Sequence, residues 1–257
     1  MRTISFYYDV WFHYSVPITE HSLVLRCVPP ELPEQQLLEV NLSIEPEETG
    51  GAYGRDSFGN QTYTARIPEP HQDFRYRVSG VALRDDSRRQ VEMPLSCYSF
   101  ASPLTEPSPA MEAFLGELHL TGTAWQQAQD LSVAVHHHLS YVPSSTTVET
   151  TAAEAFSQKK GVCQDYAHVF IALARLAGIP ARYVAGLPEG EGQSHAWVEI
   201  WDRGYWRPLD PTRNCPVDES YLKLCVGRDF ADCPVEQGTF YGLAEQQHTV
   251  YMKVDNQ

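Results

Sequence analysis

Lys160-Gly161-Val162-Cys163-Gln164-Asp165-Tyr166, followed by Ala167–Leu176 (AHVFIALARL) and then Ala177-Gly178-Ile179-Pro180, decides the fold. A glycine precedes the cysteine, a run rich in Ala and Leu follows, and Gly178 with Pro180 stops that run sharply. The pattern predicts a helix over Gln164–Ala177. Its residues are apolar on most faces, so the helix runs through a core. Cys163 stands at its N-terminus, where unpaired backbone N–H groups and the helix dipole favour an anion. A thiol held there is a candidate nucleophile. A cysteine on its own is more often an inert core residue, so the case depends on what the rest of the chain brings to it.

Downstream, Arg182–Leu187, Ser194–Trp201 and Tyr205–Leu209 read as strands, the last two joined by a tight Asp202-Arg203-Gly204 turn. Thr249–Val254 reads as one more. If the hairpin pairs in simple register, His195 lies opposite residue 209 or 210, and a carboxylate at Asp210 reaches the imidazole. Cys163, His195 and Asp210 then form a nucleophile, a base and an orienting group. Ten histidines and many aspartates would supply some such triple by chance. Upstream, Ala110–Leu120, Thr123–Leu139 and Thr151–Gln158 carry helical spacing, with Thr123 as a cap and Thr151 and Glu154 at capping-box spacing.

From Met1 to about Phe100 the periodicity is two, not 3.6. Ser22–Val28, Leu37–Ile44, Thr62–Ile67 and Phe74–Leu83 alternate polar and apolar residues, and Phe58-Gly59-Asn60 looks like a turn. Ser102–Pro109 (SPLTEPSP) is a proline-rich connector. The expected division is therefore a β-sandwich-like domain over 1–101, a linker over 102–109 and a catalytic domain over 110–257. The pairing of a last strand near 248–255 stays open.

KGVCQDY with ALARLAGIPARYVAGL, then SHAWVEIW, then YWRPLDPTRN, form four ordered motifs that resemble the core of the transglutaminase-like superfamily, a branch of papain-like cysteine enzymes. The β module, with DSFGN at Asp56–Asn60, resembles the N-terminal domain of bacterial members. The resemblance implies an α+β protein: an antiparallel β module, then a catalytic domain with the nucleophile helix packed on an antiparallel sheet. It implies Cys163 as nucleophile, His195 as general base and acid, and Asp210 as the residue orienting the imidazole. Tyr141 is the candidate side-chain donor to the oxyanion beside the Cys163 N–H, and Gln164 and Trp197 are cleft candidates. Each of these three also has a packing reading. The implied activity is acyl transfer on amide bonds through a thioester, leaning to peptide hydrolysis. Transfer to an amine, and a non-catalytic scaffold that binds a protein partner, are the alternatives.

Composition narrows the partners. The chain has 257 residues, 42% hydrophobic and 20% charged, with 14 Tyr, 10 Phe and 5 Trp, too apolar for a disordered polymer. A net charge of −14 repels nucleic acid and anionic lipid, and the partner that the resemblance implies is a protein or peptide substrate. No apolar run approaches the roughly 18 residues of a membrane span, and Met1–Val10 lacks the pattern of a signal peptide, so a cytoplasmic location is expected. Six sparse cysteines are expected to be free thiols. Cys215, Cys225 and Cys233 lack the spacing of zinc ligands, and His136-His137-His138 point in different directions on a helix, so no metal or cofactor is assigned. The acidic loop Leu187–Ser194 reads as a flank of an open cleft, its Glu189 and Glu191 favouring neutral or cationic acyl donors.

Overall fold

A computed structural model describes residues 1–256. In chain order the elements are β1 (Arg2–Leu25), β2 (Gln35–Glu45), β3 (Thr49–Arg55), β4 (Gln61–Ile67) and β5 (His71–Arg84), then α1 (Pro109–Glu117), α2 (Ala124–His138), β6 (Ser140–Tyr141), α3 (Ala152–Gln158), β7 (Lys160–Gly161) and α4 (Cys163–Leu176). There follow β8 (Ala181–Pro188), β9 (Gly190–Gly192), β10 (His195–Asp202), β11 (Tyr205–Asp210), β12 (Cys215–Pro216), β13 (Tyr221–Gly227), β14 (Glu236–Tyr241) and β15 (Gln246–Asn256). The architecture is α+β, as the sequence implied.

The first sheet is organised by β1. Its first half pairs with β5 on one edge and β15 on the other. Pro17, which has no N–H to give a ladder, and Glu20, at φ +53°, break the strand, and its second half pairs with β4 and β14. Ile4, Phe6, Tyr8, Val10, Phe12 and Tyr14 all point inward and are buried. The sequence reading missed this strand before Ser22 because Tyr7, Trp11 and His13 fill the outward phase with aromatic residues and mask the alternation.

The second sheet is antiparallel, in the order β12-β11-β10-β8-β13. Helix α4 crosses β8 and β10 and buries Ala167, Phe170, Ile171 and Ala174. Each large side chain sunk this way contributes about 1.5–3 kcal/mol relative to exposure. The helix starts one residue earlier than its periodicity predicted, at Cys163 itself. Thr123 and Thr151 cap α2 and α3, and the expected box with Glu154 is formed. The turn after β10 has two central residues of positive φ, Arg203 at +51° and Gly204 at +94°, the backbone of a type I′ hairpin.

The two sheets are locked together. The outer edge of β13 is closed by carboxamides of the first unit: Gln35 bonds both backbone groups of Lys223, and Asn60 both those of Val226. Strands β14 and β15 return to pair with β1, and β9 adds to the edge of β15. The connector is docked as well. Ser102 and Thr105 are buried, and the guanidinium of Arg175 donates to Thr105 Oγ1 at 2.8 Å and to the carbonyls of Ala181 and Arg228. Among the described residues no helix is long and apolar enough to cross a membrane.

Candidate active site

The turn that presents Cys163 is built by close contacts. Strand β7 runs parallel to β6 and delivers the chain through Gly161 and Val162 into α4. Asp165, in the first turn, accepts the Val162 N–H at 2.7 Å and the Thr146 hydroxyl at 2.7 Å. Its position suits the positive end of the helix dipole, yet it is 1% exposed, and that burial raises its carboxyl above the usual range despite both bonds. A Cβ at Gly161 would sit 2.5 Å from the Asp165 Cβ, so the turn closes only around glycine. Cys163 follows at the first helical position, partly exposed, and its N–H is one that helix geometry leaves without an internal acceptor.

His195 opens β10 and Asp210 ends β11. The register differs from the simple expectation. Leu209 pairs with Val198, which puts Asp210 across from Trp197 and makes the histidine its diagonal neighbour. The side chains bridge that diagonal, and His195 Nε2 lies 2.7 Å from Asp210 Oδ2. This leaves Nδ1 as the ring nitrogen available to the sulfur. Burial works against an imidazolium, but the hydrogen bonds and charges of Asp210 and Cys163 outweigh it and raise the His195 pKa to about 9.

Asp210 is fully buried and saturated with donors. Oδ1 accepts the N–H groups of Thr212 and Arg213, both at 3.0 Å, and Oδ2 accepts the Tyr221 hydroxyl at 3.0 Å as well as the histidine. Burial raises such a carboxyl, yet these partners, His195 foremost, hold it below the usual carboxylate range. Helix α2 fixes the following turn, since His136 Nδ1 donates to the Thr212 carbonyl at 3.0 Å. The histidine run is thus bonded at two of its three members, because His138 Nε2 donates to the Phe156 carbonyl at 2.9 Å while its ring stacks on that of Phe156. Tyr221 and Arg213 were given no role by sequence reasoning, and no motif marks Tyr221 among 14 tyrosines.

The three cleft candidates separate. Tyr141 is 55% exposed on β6, and burial together with the nearby charge of Cys163 raises its phenol. The Gln164 amide donates to the Val148 carbonyl at 3.1 Å, which ties it to the preceding loop. Trp197 is 1% exposed and packs edge-on against Tyr221, ring centroids 5.4 Å apart. Glu189 and Glu191, expected beside the cleft, pair with Arg2 and Lys253 of the first sheet. All six cysteines are free thiols, Cys27, Cys225 and Cys233 buried. Among the described residues no group of three or more His, Cys, Asp or Glu is placed to hold a metal ion.

Both halves of the chain resemble known proteins. The model of the transglutaminase-like superfamily matches residues 116–211, which include Cys163, His195 and Asp210, and that of the bacterial transglutaminase-like N-terminal region matches residues 7–82. An uncharacterised Mycobacterium leprae protein is 39% identical over 126 residues, 45% of this chain and 45% of its own length. A Mycobacterium tuberculosis protein is 28% identical over 251 residues, covering 82% of this chain and 79% of its own. A Pseudomonas aeruginosa protein-glutamine gamma-glutamyltransferase is 30% identical over 202 residues, 65% of this chain but 28% of that protein. In fold, the chain is similar to a proposed cysteine protease of Cytophaga hutchinsonii, with a TM-score of 0.82, 20% identity, and coverage of 99% of this chain and 90% of the other. With both halves matched in order, the chain belongs to the transglutaminase-like superfamily, its core preceded by a bacterial transglutaminase-like N-terminal region.

Proposed function

We propose that this protein is a cysteine-dependent acyl-transfer enzyme that hydrolyses amide bonds in peptides or proteins. What supports the reading is a thiol, Cys163, at the start of a buried helix, together with an imidazole, His195, whose Nε2 lies 2.7 Å from a buried carboxylate. The Cys163 sulfur attacks the carbonyl carbon, and the oxyanion that forms is met by the Cys163 N–H, with the Tyr141 phenol as a second candidate donor. The His195 imidazolium gives its proton to the leaving nitrogen as the C–N bond breaks, leaving a thioester and an amine. His195 then takes a proton from water, whose oxygen attacks the thioester, and returns it to the departing sulfur. A carboxylic acid and the free enzyme result.

A second reading, transfer of the acyl group to an amine, is favoured by the likeness to the Pseudomonas protein named for gamma-glutamyl transfer. The chemistry up to the thioester is shared, so the two differ only in the second nucleophile. The test has two stages. Peptide mapping after brief iodoacetamide treatment near neutral pH is expected to find Cys163 alkylated well ahead of the partly exposed Cys97 and Cys215, and that preference is lost in His195→Ala. Slow, equal labelling of the accessible thiols would overturn the enzyme reading in favour of a binding scaffold. Casein and small glutamine peptides, with and without a primary amine, then separate hydrolysis from amine transfer by the mass of the product.

A further inference from the structure

Asp210 Oδ2 accepts two hydrogen bonds, one from His195 Nε2 at 2.7 Å and one from the Tyr221 hydroxyl at 3.0 Å. The direction of the second is fixed. Arg213 donates to the phenol oxygen at 3.0 Å, and a guanidinium has no lone pair to offer in return, so the single phenol proton points at the carboxylate. Burial and the charge of Asp210 raise the Tyr221 phenol, which keeps that proton in place. The ring itself is clamped. Trp197 meets it edge-on, and the Arg213 guanidinium lies 5.6 Å from its centroid on another side.

Tyr221 also has an unusual mount. It begins β13, the edge strand whose outer side is closed at Lys223 by Gln35 from the N-terminal unit. We propose that Tyr221 is a positioning residue of the acyl-transfer site: it competes with His195 for the charge on Asp210 Oδ2 and so sets how acidic the imidazolium is. The inference rests on the acyl-transfer reading above and adds to it a fourth group. A shared oxygen offers each donor less charge than an unshared one. With the phenol present, the imidazolium is held less tightly and gives up its proton more readily to a leaving amine. Without it, Oδ2 serves the imidazole alone.

The groups that bear on His195 are Cys163 from α4, Asp210 from β11, Tyr221 from β13 and, through Asp210, Arg213 and Cys215 from the segment after β11. The test reads the imidazole directly. Titrating ¹⁵N-histidine-labelled protein by NMR follows His195 without any substrate, so it does not depend on turnover. In Tyr221→Phe the His195 midpoint is expected to rise by roughly half a unit to one unit. Arg213→Ala, at a side chain 47% exposed, removes the donor to the phenol and a positive charge near Asp210, and shifts the midpoint in the same direction. In turnover, the alkaline limb of kcat/KM moves with the NMR midpoint. An unchanged midpoint in a folded Tyr221→Phe protein, whatever happens to kcat, would overturn the proposal and leave Tyr221 as packing. A wild-type midpoint near that of free histidine would instead overturn the reading of the site on which it rests.

Discussion

Gln35 in β2 and Lys223 in β13 are joined like partners in one ladder: the carboxamide donates to the Lys223 carbonyl at 2.9 Å and accepts the Lys223 N–H at 2.8 Å. Asn60 repeats the arrangement on Val226, with both bonds at 2.7 Å. All four backbone groups lie on an edge that would otherwise need water or another strand.

Truncation at either amide therefore strands the two backbone groups it serves on β13, and at Gln35 the Pro30 carbonyl as well. Gln35→Ala and Asn60→Ala are each expected to lower stability by about 2–4 kcal/mol, since a buried group left unpaired costs roughly 1–3 kcal/mol. Urea unfolding measures this. A loss below about 0.5 kcal/mol would mean that water replaces the amide without penalty.

At the nucleophile, Cys163→Ala is expected to abolish turnover while the melting temperature stays within a few degrees of wild type, because the side chain is partly exposed. His195→Ala should behave alike. Asp210→Ala keeps residual activity, with kcat/KM down by about 10²–10⁴-fold, since the imidazole survives but is no longer oriented. Full activity of the Cys163 variant would refute the mechanism.

The pH dependence follows from the buried pair. His195 is raised from 6.5 to about 9, so general-acid action by the imidazolium, and with it kcat/KM, should fall as pH passes about 9. The same shift stabilises the fold below the unfolded value of 6.5, and that contribution is lost as pH climbs through 9. Asp210 has the opposite sign: its stabilisation is present above the unfolded 3.8 and is lost as pH drops through its lower folded value. Activity profiles between about pH 4 and 10 check the first, and melting profiles carried down to about pH 2 check the second; a wild-type alkaline limb near 7 contradicts the pairing.

Gly161→Ala tests the turn that presents the sulfur. The new Cβ would lie 2.5 Å from the Asp165 Cβ, so either the helix start or Asp165 must move. The expected cost is about 1–3 kcal/mol with a marked loss of kcat. Wild-type kcat and stability together would show that the turn tolerates displacement.

How much of this was legible in the sequence depended on how local the cause was. Helices α2 and α3 were legible because Thr123 and Thr151 act on residues three positions away. His195 and Asp210 were legible as partners because motif order carried them, although the register between β10 and β11 was not. Strand β1 was hidden because aromatic residues occupy both of its faces. Tyr221 was hidden for a different reason: its importance comes from Arg213, Trp197 and Asp210, which meet it only after two sheets have assembled. Segment 187–194 looked like a free acidic flank, since nothing near it in the chain announces Arg2 and Lys253.

The pairing of β1 with β15 has a consequence for biosynthesis. Ile4 meets Asn256 and Tyr14 meets Gln246, so one side of the first long strand waits, unpartnered and rich in aromatic residues, while the ribosome makes the elements between them. A chain stalled before that closing strand would display a ready template for intermolecular pairing. Completion of the first sheet and protection from aggregation are thus achieved by the same late step.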